Sequence, residues 1–258
     1  MANGKKKKKN SKAAQAEVQR READSRDRKS KFLTTIFTLV VGIGVTVAFM
    51  SWPISLEFTT LAFEDVPLAP IVDTTFSAGS RKVTDTVGFG TTPLKGGETA
   101  AFCEIGGKMF QLGIIETTDT CYFQQATVND GDGEYFVYTA ALGYSGETQL
   151  IYIGEDNTPI SLLRISGVAY TLDLDGDGWD ETVIETGLVK SCYVYEWEPE
   201  SARAKYASIN VGLQKEAVFY NQSNQSFSPT FGGVGFLLDS YTYEKERLQR
   251  HVRLDTRE

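Results

Sequence analysis

The side chains of this sequence best suited to chemistry lie in Asp173-Leu174-Asp175-Gly176-Asp177-Gly178-Trp179-Asp180-Glu181. Asp173, Asp175, Asp177 and Glu181 bring four carboxylates into one short stretch. Unpaired, such charges repel one another. A hard cation removes the repulsion. Calcium takes six to eight oxygen ligands, and a loop with a carboxylate at every second residue plus a backbone carbonyl can wrap around it. Gly178 supplies the sharp turn that brings the later ligands back.

No other motif competes with this loop. Cys103, Cys121 and Cys192 form no CxxC pair, and His251 is the only histidine, so a zinc centre of several Cys and His ligands is not expected. In an oxidising compartment one disulfide is expected; Cys103–Cys121 is the shortest closure, with the pairing left open by the sequence. The chain has no GxSxG, no phosphate-cradling glycine loop ending in Lys-Ser/Thr, and no HExxH. Gly88-Phe89-Gly90 lacks the rest of a dinucleotide fingerprint, and His251, set among arginines, reads as a surface residue. Binding rather than catalysis is expected. A carboxylate hydrolase stays open as an alternative, because acidic pairs abound and none stands out. Asn221-Gln222-Ser223 and Asn224-Gln225-Ser226 match the glycosylation sequon.

The elements that position the loop read as strands. Ala100–Ile105, Gly106-Gly107 and Lys108–Ile114 give a hairpin with a tight primed turn. Further hairpins run Gln149–Ile153 to Ile160–Ile165, Cys192–Trp197 to Ala204–Ile209, and Ala217–Tyr220 to Phe227. No stretch between about 96 and 235 has a helical period, and its Tyr and Phe fit pleated, half-buried surfaces. From Tyr241 to Leu254 neither a strand nor a helix period wins.

A repeat of about 45 residues aligns Asp130-Gly131-Asp132-Gly133 with Asp175-Gly176-Asp177-Gly178. The unit reads acidic loop, strand, strand, turn, strand. In the first copy Val128 replaces Asp173 and Phe136 replaces Glu181, so that copy is expected to be a turn rather than a second metal site.

Asp173-x-Asp175-x-Asp177-Gly178-x-x-Glu181 followed by Thr182-Val183-Ile184 resembles the calcium loop of FG-GAP/VCBS-type repeats, as in integrin-like β-propellers. The resemblance implies a small antiparallel blade whose loop holds Ca²⁺. It implies side-chain oxygens from Asp173, Asp175, Asp177 and Glu181 and a backbone carbonyl from Trp179. The family's last ligand is more often Asp, so Glu181 departs from its pattern. An EF-hand is the alternative loop; it wants Glu where Ile184 stands, and flanking helices. The expected fold is mainly β: antiparallel blade-like repeats, as a small closed propeller or an incomplete one, plus one N-terminal transmembrane helix. A closed propeller needs at least four four-stranded blades, and two repeats are legible.

The net charge of −8 hides a step. Residues 1–31 carry 12 Lys/Arg against 4 Asp/Glu, and the remainder 14 against 30. An acidic body does not suit nucleic acid, whose phosphates need a basic face. Phe32 to Leu56 has no charged residue, long enough to span a bilayer, with Trp52 as an interfacial aromatic and Pro53 as a stop. A cleaved signal peptide is the rival, but its apolar run is normally shorter and Met50-Ser51-Trp52-Pro53 is a poor cleavage site. The expected order is a basic cytoplasmic tail (1–31), a membrane anchor (32–52), a proline-rich stalk with one or two short strands that leads into the folded body (53–95), and an extracytoplasmic β-domain (96–258). Gly44 and Ala48 are a small-xxx-small pair, a hint of helix association. The expected partners are the membrane and either a protein or a glycan, in adhesion or envelope scaffolding, with membership of a larger membrane complex as a further alternative.

Overall fold

Apolar and aromatic residues alternate in short runs broken by Gly, Asp and Asn, and the chain folds accordingly into strands. The computed structural model describes residues 31, 34–39, 52–72, 80–116, 120–128, 132–142, 145–229 and 237–254. They fall into two units, Met1–Trp52 and Pro53–Glu258. In the first, residues 34–39 are helical and exposed. Among the described residues no helix is long and apolar enough to cross a membrane. The expected tail and most of the expected anchor lie outside the described residues.

The second unit is mainly β. It opens with β1 (Ile54–Ser55), β2 (Phe58–Ala62) and β3 (Val66–Pro67), and four antiparallel meanders follow. Sheet 1 holds β4 (Arg81–Lys82), β5 (Val87–Pro93), β6 (Thr99–Ile105) and β7 (Lys108–Ile115). Sheet 2 holds β8 (Thr120–Ala126), β9 (Glu134–Leu142), β10 (Ser145–Ile153) and β11 (Pro159–Ser166). Sheet 3 holds β12 (Val168–Leu172), β13 (Glu181–Thr186), β14 (Ser191–Glu198) and β15 (Arg203–Ser208). Sheet 4 holds β16 (Phe219–Asn221), β17 (Ser226–Ser228), β18 (Leu237–Glu244) and β19 (Arg247–Leu254). The second strands start at Val87, Glu134, Glu181 and Ser226, at intervals of 47, 47 and 45 residues. The repeat is therefore fourfold, and each unit has one more strand, before the loop, than its sequence signal. A short helix, Ile209–Leu213, links sheets 3 and 4.

All four expected hairpins form. Gly106 and Gly107 both have positive φ, +58° and +77°, as a two-residue primed turn requires. The region 241–254 resolves as β18 and β19.

The expected stalk is instead part of the fold. Its first strands form a strap that joins the last strand of every sheet in reverse chain order. β1 pairs with β19, β2 with β15 and β3 with β11. The Ile71 N–H then donates to the Met109 carbonyl and the Gln111 N–H to the Ala69 carbonyl, which ties the strap to β7. The prolines that suggested a linker are compatible with edge strands, which need not donate from every residue. Each of those four edges is thereby covered, which removes unpaired backbone that would otherwise recruit other strands.

Three apolar cores join neighbouring sheets. Sheets 1 and 2 meet through Phe89, Cys103, Leu112, Phe123, Phe136 and Ile151. Sheets 2 and 3 meet through Val137, Leu150, Leu163, Ile184 and Trp197. Sheets 3 and 4 meet through Val183, Cys192, Val194, Phe227 and Leu248. Alternation along one strand feeds two cores: Phe136 and Tyr138 of β9 face sheet 1, and Tyr135 and Val137 face sheet 3. The strap contributes to all three: Leu56 to the third, Leu61 and Phe63 to the second, and Leu68 to the first.

Candidate metal centre

Residues 173–180 connect β12 to β13, whose ladder ends on the pair Leu172–Glu181. Leu174 is buried in the core of sheets 3 and 4 and roots the loop there. The aspartates then fold the loop by accepting from its own backbone. Asp173 accepts from the Gly176 N–H at 2.7 Å and the Gly178 N–H at 3.1 Å. Asp175 accepts from the Asp177 N–H at 3.2 Å, and Asp177 from the Trp179 N–H at 2.8 Å. Gly176 and Gly178 have φ of +77° and +96°, a region that L side chains rarely enter. A Cβ at either would meet no atom within 4 Å, so the requirement is conformational and not one of space.

The loop is also tied to the sheets on either side. The Lys245 N–H of the β18–β19 turn donates to Asp175 at 3.2 Å. The Thr127 N–H, which follows β8, donates to Asp180 at 2.8 Å, and the Asp180 N–H returns a bond to the Thr127 carbonyl at 2.7 Å. One loop of sheet 3 thus holds sheet 4 on one side and sheet 2 on the other.

Asp173, Asp175 and Asp177 each present a carboxylate oxygen within 4.8 Å of the others. A Ca²⁺ ion holds oxygens at about 2.3–2.6 Å, so its ligands stand up to about 5 Å apart. The donor set and spacing fit such an ion. Glu181 stands outside this triad. It is buried, and its Oε2 accepts from the Leu174 N–H at 2.9 Å. Burial, together with Asp175, Asp177 and Glu196, pushes its carboxyl up to about 8, against the pull of the Leu174 bond. Trp179 is exposed and lines the cavity beside the loop.

A cavity of about 460 Å³ opens beside the loop. Asp175, Asp177, Trp179, Glu181, Glu196, Trp197, Glu198, Lys205 and Glu246 line it. Lys205 Nζ lies 2.6 Å from Glu196, 2.7 Å from Glu246 and 3.6 Å from Glu198. Burial alone would lower its pKa, but the hydrogen bonds to Glu196 and Glu246 raise it above the ordinary lysine range. The Tyr243 hydroxyl donates to the other oxygen of Glu196. Lys245 and Glu246 form a two-residue turn with φ of +46° and +64°, strained for non-glycine residues. Bonds to Asp175, Leu56 and Lys205 hold that turn.

The sequence pointed to the triad and to Glu181, but not to Asp180, Glu196, Lys205 or the β18–β19 turn. One signal was available: Glu196 and Lys205 are direct cross-strand partners in a hairpin that the sequence predicts. In the first copy of the repeat, Asp130 and Gly131 lie outside the described residues. Val128 lines the cavity, and Phe136 is a fully buried core residue and cannot be a ligand.

The three cysteines are thiols, the candidate disulfide pair Cys103 and Cys121 among them. Cys103 is buried in the core of sheets 1 and 2, and Cys121 packs against the same core from β8. Burial pushes the Cys103 thiol up to about 12, so little of it is the reactive thiolate at neutral pH. A second hollow, of about 420 Å³, is lined by strap residues and by Gln111, Tyr138, Glu147 and Arg164, with no nucleophile–base pair among them. No protein-family model, curated protein or solved structure matches the chain.

Proposed function

We propose that this is a single-pass membrane protein carrying an extracytoplasmic binding domain, with a calcium ion in the 173–181 loop as a structural clasp. The domain would be a blade-like β-repeat array of FG-GAP/VCBS type. Its work would be adhesion to a protein or glycan, or scaffolding of an envelope complex. The charge step and the apolar run before Pro53 support the anchor. The observation that carries the metal reading is the gathering of three carboxylates within 4.8 Å in a loop bonded to the sheets on both sides.

An ion there would neutralise Asp173, Asp175 and Asp177 and so favour the folded loop. Because it binds only the folded loop, stability would rise with calcium concentration by mass action. Thermal melting of the full chain in detergent, in chelator and then in millimolar calcium, tests this. A higher melting temperature with calcium, and none with magnesium at the same concentration, supports the reading; identical curves refute it.

A second reading, an anchored hydrolase acting on glycans, draws on the cavity. Glu181, with its raised pKa, and Glu196, bonded to Lys205 and Tyr243, are carboxyls in unlike environments with two tryptophans beside them. Cleavage of a glycoside panel that Glu181→Gln abolishes would favour it over binding.

A further inference from the structure

The cavity beside the 173–181 loop is walled by three sheets. Val128 comes from just after β8, the loop with β14 and β15 from sheet 3, and Lys245 and Glu246 from the β18–β19 turn of sheet 4. Its volume of about 460 Å³ lies in the range of small-ligand sites, about 300–1,000 Å³. Its wall carries seven carboxyl groups against two ammonium groups, those of Lys205 and Lys245. Trp179, 38% exposed, adds an indole ring to the same wall.

Most donors of that wall are already occupied. Lys205 Nζ is surrounded by Glu196, Glu246 and Glu198 at 2.6, 2.7 and 3.6 Å, and it stands 5.4 Å from the centre of the Phe58 ring. Three carboxylates match the three protons of its ammonium. The Trp197 Nε1–H donates to Thr182 Oγ1 at 3.1 Å, and the Tyr243 hydroxyl donates to Glu196. Acceptors are left over. Glu181 is 5% exposed, lines the cavity and accepts at Oε2 from the Leu174 N–H. Among the described residues its Oε1 has no hydrogen-bond partner. A buried carboxyl oxygen without a donor is unfavourable, and the cavity is where a donor can reach it.

We propose that this cavity holds an organic cation: an ammonium or guanidinium group on an apolar stem, as in a lysine or arginine side chain. This rests on the binding reading above and names its ligand. Such a group brings N–H donors and no acceptor, the complement of a wall whose donors are taken and whose acceptors are not. Its charge offsets the excess of carboxylates. The Trp179 ring attracts the cation through its quadrupole and packs on the stem. A neutral sugar is disfavoured, because each hydroxyl that donates also accepts and few donors are left to meet it. A calcium ion held by the aspartate triad leaves Glu181, Glu196, Glu198 and Glu246 in place for the cation.

The test uses the full chain in detergent with millimolar calcium, titrated by saturation-transfer NMR. The probes are N-acetyl-lysine methylamide and N-acetyl-arginine methylamide for a partner's side chain, and spermidine for a free amine. N-acetyl-norleucine methylamide and cellobiose are the neutral controls. The inference predicts that the cations bind, the two amides with dissociation constants of roughly 1–10 mM. The norleucine amide should bind at least about tenfold more weakly than the lysine amide. Trp179→Leu and Glu181→Gln should each weaken cation binding at least about threefold. Glu155→Gln, at an exposed acid of the β10–β11 turn, should leave it unchanged. Spermidine binding more tightly than the amides assigns the cavity to a free amine, and the reverse order assigns it to a protein side chain. Equal binding of the lysine and norleucine amides, unchanged binding in both cavity variants, or uptake of cellobiose in place of the cations overturns the inference. The calcium-dependent gain in melting temperature separates it from the clasp. A chain that keeps that gain and binds no cation overturns this inference alone; one that lacks the gain and binds the cations overturns only the clasp.

Discussion

Leu68→Ala tests whether the strap is structural. Leu68 is 5% exposed and lies in the core between sheets 1 and 2, while its N–H donates to the Pro159 carbonyl on β11. The substitution keeps the backbone bond and removes the buried side chain. A buried Leu→Ala change costs about 2–5 kcal/mol, set by how far the site collapses. Domains are stable by only about 5–15 kcal/mol, so the loss is a large fraction of the whole. For a unit of this size about 1 kcal/mol moves the melting temperature by ~2–4 °C, which gives a drop of roughly 4–20 °C. Val66→Ala is the control, on the same strap but 42% exposed; its expected cost is within about 0.5 kcal/mol. Leu56→Ala repeats the test in a different core, between sheets 3 and 4. With no shared core, the two costs should add. The assay is urea unfolding of the full chain in detergent, followed by tryptophan fluorescence and circular dichroism. Equal midpoints for Leu68→Ala and Val66→Ala would refute a structural strap. Separate transitions by the two probes would show that the sheets melt independently, against a strap that couples them.

Other outcomes follow from the loop and its cavity. Glu181→Gln keeps an acceptor for the Leu174 N–H and removes a buried acid beside Asp175 and Asp177; it should leave the chelator-treated chain as stable or more so, and shrink the gain from calcium. A second expectation concerns pH. Glu181 is raised from 4.5 to about 8 in the folded chain, so folding holds its proton across that window. Its contribution is full below the unfolded value and is lost as pH rises through about 8. In chelator, melting temperature should therefore fall more steeply from pH 5 to 8 in the native chain than in Glu181→Gln, and calcium should narrow the difference. Lys245→Asn places a residue that tolerates positive φ in the strained β18–β19 turn and keeps the N–H to Asp175; it should stabilise by roughly 0.5–1 kcal/mol in a denaturant titration.

The hairpins were legible because their signals are local: two β-prone runs around Gly106-Gly107, or around Glu198-Pro199, need no knowledge of the rest of the chain. The strap was not. β1 and β3 are two residues each, and their partners Leu248 and Ser161 lie far along the sequence, so no periodicity marks them. Prolines at 67 and 70 read as linker when they mark an edge. The fourfold repeat was half visible for a similar reason. Its signal was the Asp-Gly loop, which units 1 and 4 replace with Val83–Thr86 and the turn at 222–225. The triad of aspartates was legible from spacing alone. The place of Glu181 was not, because it depends on the ladder: Glu181, Val183 and Glu185 share one face of β13, and that face is buried against sheet 4. Lys205 and the β18–β19 turn reach the cavity through tertiary contacts across about 40 to 70 residues, which no local pattern encodes.

The central claim is that one calcium ion closes the 173–181 loop. Equilibrium dialysis of the full chain in detergent against calcium, with bound metal counted by atomic emission, tests it most directly. The account predicts one ion per chain, with a dissociation constant no weaker than about 0.1–1 mM as in extracellular modules, and none in Asp173→Asn/Asp177→Asn. No bound calcium at several millimolar, or equal binding by that double variant, would contradict it.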